Sequence, residues 1–172
     1  GQSFDFSMEY QQQYHEAILP YILERNFLVA TAAWNMFDFG SANRDESMPR
    51  INNKGLCYYN RTPKDVYFYY QAMLTNKKMV HIATRDWLSL TETSDSDTLI
   101  YPVKVYSNAV EVELFVNGKS LGKKSPENRN ALWKVPFVDG KNTLIAKTNE
   151  GAEDATTVDC KILPAKLRNI KT

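Results

Sequence analysis

Cysteine and histidine are almost absent from this sequence: Cys57 and Cys160, His15 and His81 are the full set in 172 residues. No CxxC pair and no Cys/His spacing occurs, so no zinc site can be assembled, and the expectation is two buried free thiols. A single interdomain disulfide is the alternative. His15, read on a helix surface, and His81, read in a strand, have no ligand-spaced partners and are expected to be structural. A formal net charge of +1, with Lys and Glu interspersed, gives no footprint for nucleic acid or an acidic membrane. No apolar run reaches about 18 residues, so no membrane-spanning helix is encoded. The opening Gly-Gln-Ser-Phe-Asp lacks the basic head and apolar stretch of a signal peptide. There is no glycine-rich phosphate loop and no Ser/His/Asp grouping, and no cofactor is expected.

The hydrophobic and charged fractions, 43% and 24%, are those of an ordinary globular chain. The length allows one large domain or two small ones. Tyr10, Tyr14, Ala17, Ile18, Tyr21 and Ile22 recur at helical spacing, with Glu9, Gln11, Gln13 and Glu16 opposite. Pro20 predicts a kink or restart in that helix. Phe27 to Trp34 is apolar with little alternation, which predicts a strand covered on both faces, as in a parallel barrel. Residues 40–54 read as a long polar loop. Thr62-Pro63-Lys64-Asp65 predicts a helix start, with Thr62 as N-cap and an acid near the positive end of the dipole.

The period changes in the second half. Leu99, Tyr101, Val103 and Val105 alternate with outward residues, as do Val110, Val112, Leu114 and Val116. Asn117-Gly118 between β-runs predicts a two-residue hairpin, and Asp139-Gly140 separates two further runs. Thr156, Val158, Cys160 and Ile162 share one side of a last strand. With Met79 to Thr84 this makes about seven short strands, the pattern of an immunoglobulin-like sandwich. The boundary falls near Lys77-Lys78, giving domains 1–78 and 79–172. Thr91 to Asp97 reads as a solvated loop rather than a calcium loop, since it lacks the central Gly and distal Glu.

Hydrolysis by paired carboxylates normally needs two of them flanking the scissile bond. Glu9 and Glu16 lie on the polar side of a helix, and Asp38, just beyond the expected strand, has no partner carboxylate. No catalytic residue is therefore assigned. Trp34 stands where the expected strand would open at the mouth of a pocket, and Asn52-Asn53-Lys54 where the polar loop returns. Asn60-Arg61-Thr62 is formally a glycosylation sequon, taken as coincidental beside a helix start.

Three stretches carry a resemblance: Ala33-Trp34-Asn35-Met36-Phe37-Asp38-Phe39, Ile51-Asn52-Asn53-Lys54-Gly55-Leu56 and Asn60-Arg61-Thr62-Pro63-Lys64. They closely resemble the end of the catalytic barrel of family 2 glycoside hydrolases, the β-galactosidases and β-glucuronidases. Ser7-Met8-Glu9-Tyr10-Gln11 with Tyr14-His15-Glu16 resembles the helix after the nucleophile strand. The region from Val105 to Gly122 is similar to the immunoglobulin-like domain that follows the barrel.

The resemblance implies an α+β two-part chain, a partial (β/α) barrel remnant followed by an immunoglobulin-like β-sandwich. It also implies that both catalytic glutamates lie upstream of this chain. Trp34 then corresponds to the tryptophan beneath the bound sugar, and Asn52 and Lys54 to the Asn-x-Lys motif by which β-glucuronidases hold the sugar carboxylate. β-Galactosidases of the family carry the same motif. Arg50 stands where relatives usually have Gly, and Met48 where glucuronidases often have Arg.

The leading reading is the C-terminal part of a retaining β-glycosidase, a β-galactosidase first and a β-glucuronidase second. Its substrate would be a β-linked glycoside held in the intact parent, and a periplasmic or secreted parent is compatible with the chain. A non-catalytic carbohydrate-binding or adhesion module is the alternative from another class. The remnant, with apolar faces uncovered, is expected to dock on the sandwich or self-associate.

Overall fold

A computed structural model describes residues 5–45, 48–87 and 89–164. They are mostly strands with two helices, in two compact units, residues 1–74 and 75–172.

In the first unit, α1 (Met8–Leu23) starts at Ser7, whose hydroxyl accepts the Tyr10 N–H at 3.1 Å. Pro20 sits inside this helix, which runs on to Leu23 as one element rather than restarting. Gln12, His15 and Leu19 form its buried stripe, against α2 (Asp65–Leu74), whose Val66, Tyr69 and Ala72 are buried. The stripe expected to be apolar, Tyr10, Tyr14, Ile18 and Tyr21, is exposed. His15 is correspondingly buried, not on the surface.

Residues 28–33 belong to no strand or helix, and residues 27–34 are exposed throughout. Val29 is 100% and Phe27 77% accessible. The expected doubly covered strand is therefore not formed. Its sequence suits a ladder, but no other described segment pairs with it. Chain pairing begins just after it: Leu56 N–H donates to Asn35 O and Cys57 N–H to Met36 O, each at 2.9 Å. A parallel bridge joins Phe37 to Cys57, and an antiparallel one joins Cys57 to Pro63.

Between these lies a hairpin, β1 (Phe39–Asp45) with β2 (Pro49–Asn52), where a polar loop was expected. Its strands bury almost nothing, so they carry no apolar alternation to read. The N-cap expectation at Thr62 also fails. Pro63 is spent on the bridge with Cys57, and the helix begins at Asp65, beside Lys64.

The described residues of the second unit form eight strands in two sheets. One sheet orders β3 (Val80–Ile82), β5 (Thr98–Ser107) and β8 (Asn130–Val138). The other runs β4 (Leu90–Ser94), β10 (Glu153–Pro164), β9 (Gly140–Thr148), β6 (Val112–Val116) and β7 (Lys119–Lys124). All pairings are antiparallel except β10 with β4. The strand β4 takes in Thr91 to Ser94, half of the stretch expected to be loop.

Alternation puts Val103 and Val105, Val112 and Leu114, Val135 and Phe137, and Leu144 and Ala146 into one core shared by both sheets. Trp133 is buried in that core, and its indole N–H reaches Gly122 O at 3.3 Å. Asn117 and Gly118 take φ of 48° and 81°, the doubly left-handed turn that the β6–β7 hairpin needs. His81, in β3, is buried with Asp154 Oδ2 3.8 Å from its Nδ1. Both cysteines are buried free thiols, and burial raises the pKa of each.

Candidate functional site

The first unit contains a cavity of about 590 Å³. Its walls come from three places in the sequence. The start of α1 and the residues before it supply Asp5, Phe6, Tyr10, Gln11, Tyr14 and His15. Trp34 comes from the end of the apolar segment, and Asn53 with Lys54 from the turn after β2.

Trp34 and Lys54 are brought to one cavity by the bonds just beyond each of them. Asn35 and Met36 accept from Leu56 and Cys57, so the segment after Trp34 runs alongside the segment after Lys54. Trp34 is 71% exposed and meets Phe39 edge-on, ring centroids 6.3 Å apart. It is thus an exposed aromatic surface within this unit, not a packed core residue. The Lys54 ammonium lies 4.9 Å from the centroid of the Phe6 ring. Asn52 is buried and does not line the cavity; its Oδ1 accepts the Lys54 N–H at 3.2 Å and shapes the turn.

Four groups around this turn act in ways the sequence did not show, although Asn53 stood within the motif and Asp38 was weighed as a catalytic carboxylate. Asn53 lines the cavity, and its side-chain amide donates to Phe6 O at 3.2 Å. Gln11 Nε2 donates to Lys54 O and Gly55 O, at 3.1 and 3.0 Å. Gln11 Oε1 is buried without a partner among the described residues. Beneath the turn, Asp38 Oδ1 accepts both the Gly55 N–H at 2.9 Å and the Lys64 ammonium at 2.8 Å. Lys64 Nζ also donates to Asn53 O at 2.8 Å.

Gly55 has no room for a side chain, since a Cβ there would collide with the Asp38 amide nitrogen and the Phe37 carbonyl carbon. Gly55, directly after the Asn-x-Lys motif, was the sequence signal for a crowded turn. Asp38, weighed as a catalytic carboxylate, is a buried partner of Lys64.

Among the described residues, Asp5 is the one carboxylate lining the cavity. The Ser7 backbone N–H, then its side chain, holds Asp5 below the usual carboxylate range. Burial depresses the His15 pKa, so its ring favours the neutral form. Among the described residues no three His, Cys, Asp or Glu side chains cluster as metal ligands, and no helix is long and apolar enough to cross a membrane. The site therefore offers aromatic surface, one cation and amide groups. Among the described residues it does not hold two carboxylates facing each other.

Residues 99–155 match a domain of unknown function, DUF4982. A β-glucuronidase of Bacteroides fragilis is 34% identical over 160 residues, covering 88% of this chain and 22% of its own length. The β-galactosidase BoGH2A of Bacteroides ovatus is 33% identical over 77% of this chain and 15% of its own. A crystal structure of Bacteroides uniformis β-glucuronidase superposes with a TM-score of 0.91 at 45% identity, over 97% of this chain and 20% of that one. The chain thus spans about a fifth of the length of such relatives. At this identity and coverage the chain belongs to the family 2 glycoside hydrolases, and it corresponds to the C-terminal part of such an enzyme.

Proposed function

We propose that the cavity of the first unit is one wall of the sugar pocket of a retaining β-glycosidase, and that the sugar it receives is a β-glucuronide. The observation that carries this reading is that Trp34 and Lys54, separated in sequence by the hairpin, line the same cavity. A pyranose has an apolar C–H face and a polar rim. Trp34 offers a flat surface to the first, and Lys54 an ammonium to a carboxylate on the second. Asn52 completes the clamp through the turn that its Oδ1 holds. The glucuronidases among the relatives support the uronide over the galactoside that the sequence alone put first. On this reading the first unit is the end of the catalytic β/α barrel, and the second is an immunoglobulin-like sandwich that buttresses it.

The second reading is a β-galactosidase. It is favoured by Arg50 and Met48, which depart from the glucuronidase pattern, and by the BoGH2A relative. Hydrolysis of matched aryl β-glucuronide and β-galactoside by the whole enzyme separates the two. A kcat/KM larger for the glucuronide is expected, and a larger value for the galactoside would contradict the proposal.

A further inference from the structure

We propose that Asp38 and Lys64 are positioning residues that set where Lys54 stands, and through it the selectivity for an acidic sugar. This rests on the functional reading above, which gives Lys54 its role but says nothing of what holds it.

One carboxylate oxygen, Asp38 Oδ1, takes two donors, the Gly55 N–H and the Lys64 ammonium. The same ammonium donates to Asn53 O. The residues on both sides of Lys54 are thereby tied to one buried ion pair, whose side chains are 0% and 3% exposed. Asp38 lies just past Trp34, and Lys64 at the start of α2. The pair thus fixes the turn against the aromatic surface and a helix at once. Stability alone is a poor account of such a pair. Two charges removed from water lose much of what they gain from each other, and apolar replacements of similar volume are often as stable. Its specific product is geometry: Gly55, too crowded for any side chain, is pressed onto the Asp38 backbone. A misplacement of about 1 Å at such a position can cost about 100-fold in rate.

The test is the double substitution Asp38→Asn with Lys64→Met in the whole enzyme, which removes both charges and keeps an acceptor for Gly55. The kcat/KM for an aryl β-glucuronide should fall about 10- to 100-fold, chiefly through KM, with a smaller fall for the matched neutral glycoside. In a Lys54→Ala background the same pair of changes should add almost nothing. On this chain, tryptic cleavage after Lys54 should accelerate severalfold, a readout that needs no activity. If the double variant does not fold, Lys64→Arg serves. It keeps the charge, but the larger planar guanidinium cannot take the place of a compact ammonium in a fully buried site, so the same selective loss is expected. Unchanged cleavage after Lys54, or a loss that adds in full to that of Lys54→Ala, would overturn the proposal. A Lys54→Ala enzyme with unaltered selectivity, alongside faster cleavage of the double variant, would refute the functional reading alone.

Discussion

His15 Nδ1 lies 2.9 Å from the Tyr70 hydroxyl, a hydrogen bond that joins α1 to α2. Their rings meet at 5.4 Å and 69°. Burial lowers the pKa of His15 from 6.5 and raises that of Tyr70. The fold therefore prefers the neutral imidazole, whereas the unfolded chain protonates near the ordinary value. The stability this contributes is complete above about pH 6.5 and is lost as pH falls through the lowered pKa. After correction for the intrinsic pH dependence of exchange, the protection of α2 amides should fall as pH drops below about 6.5, and His15→Gln should flatten that slope. Equal acid sensitivity in both proteins would contradict it.

Tyr69 gives the opposite case at high pH. Burial first, then the neighbouring Glu16 and Tyr70, pushes its pKa up to about 12. The neutral phenol is again the form the fold accepts. Its contribution is full below about pH 10 and is lost as pH climbs towards 12. Tyr69→Phe should be less sensitive to alkali than the parent chain, as followed by circular dichroism.

Arg50 adopts φ 59°, in the left-handed region that side chains disfavour. Such a backbone favours glycine, which the family resemblance led one to expect here. Arg50→Gly should raise the stability of the first unit by about 1 kcal/mol, measured by denaturant titration. An equal gain from Arg50→Val would show that strain is not the cause.

The chain alone should hydrolyse no glycoside, because among the described residues only one carboxylate lines the cavity. Turnover abolished by Glu9→Gln or Asp38→Asn would overturn this account of both residues.

The apolar segment 27–34 should be the least protected part of the chain. Its residues are exposed and pair with no strand, whereas Val112, Leu114 and Val116 lie in the core. In dilute solution, amides 27–34 should exchange far faster than amides 110–117. Protection of the first set that grows with protein concentration would indicate self-association. Strong protection in a demonstrated monomer would mean that the segment has a partner within the chain.

Much of the second unit was legible because its strands bury one face each. Period-two alternation located β5, β6, β8, β9 and β10, and Asn117-Gly118 located the β6–β7 turn. The first unit was less legible, for physical reasons that differ by element. The hairpin β1–β2 buries little, so hydrophobicity could not mark it. In α1 the apolar stripe lies exposed, while Gln12 and His15 take the buried side with Leu19. Polar side chains that bond inside an interface leave no hydrophobic period. The resemblance picked out Trp34 and Lys54, which share the cavity. The Asp38–Lys64 support needed coordinates, because 25 intervening residues separate two charges that look solvent-facing on paper.

The most direct test of the uronide pocket is Lys54→Ala in the whole enzyme, assayed on an aryl β-glucuronide and a matched neutral β-glycoside. Loss of a charge-assisted contact to a carboxylate should cost about 2–5 kcal/mol in kcat/KM on the glucuronide. On the neutral sugar the loss should be that of one ordinary hydrogen bond, about 0.5–1.5 kcal/mol. Equal losses on both substrates would mean that Lys54 only holds the turn, and the assignment of an acidic sugar would fall.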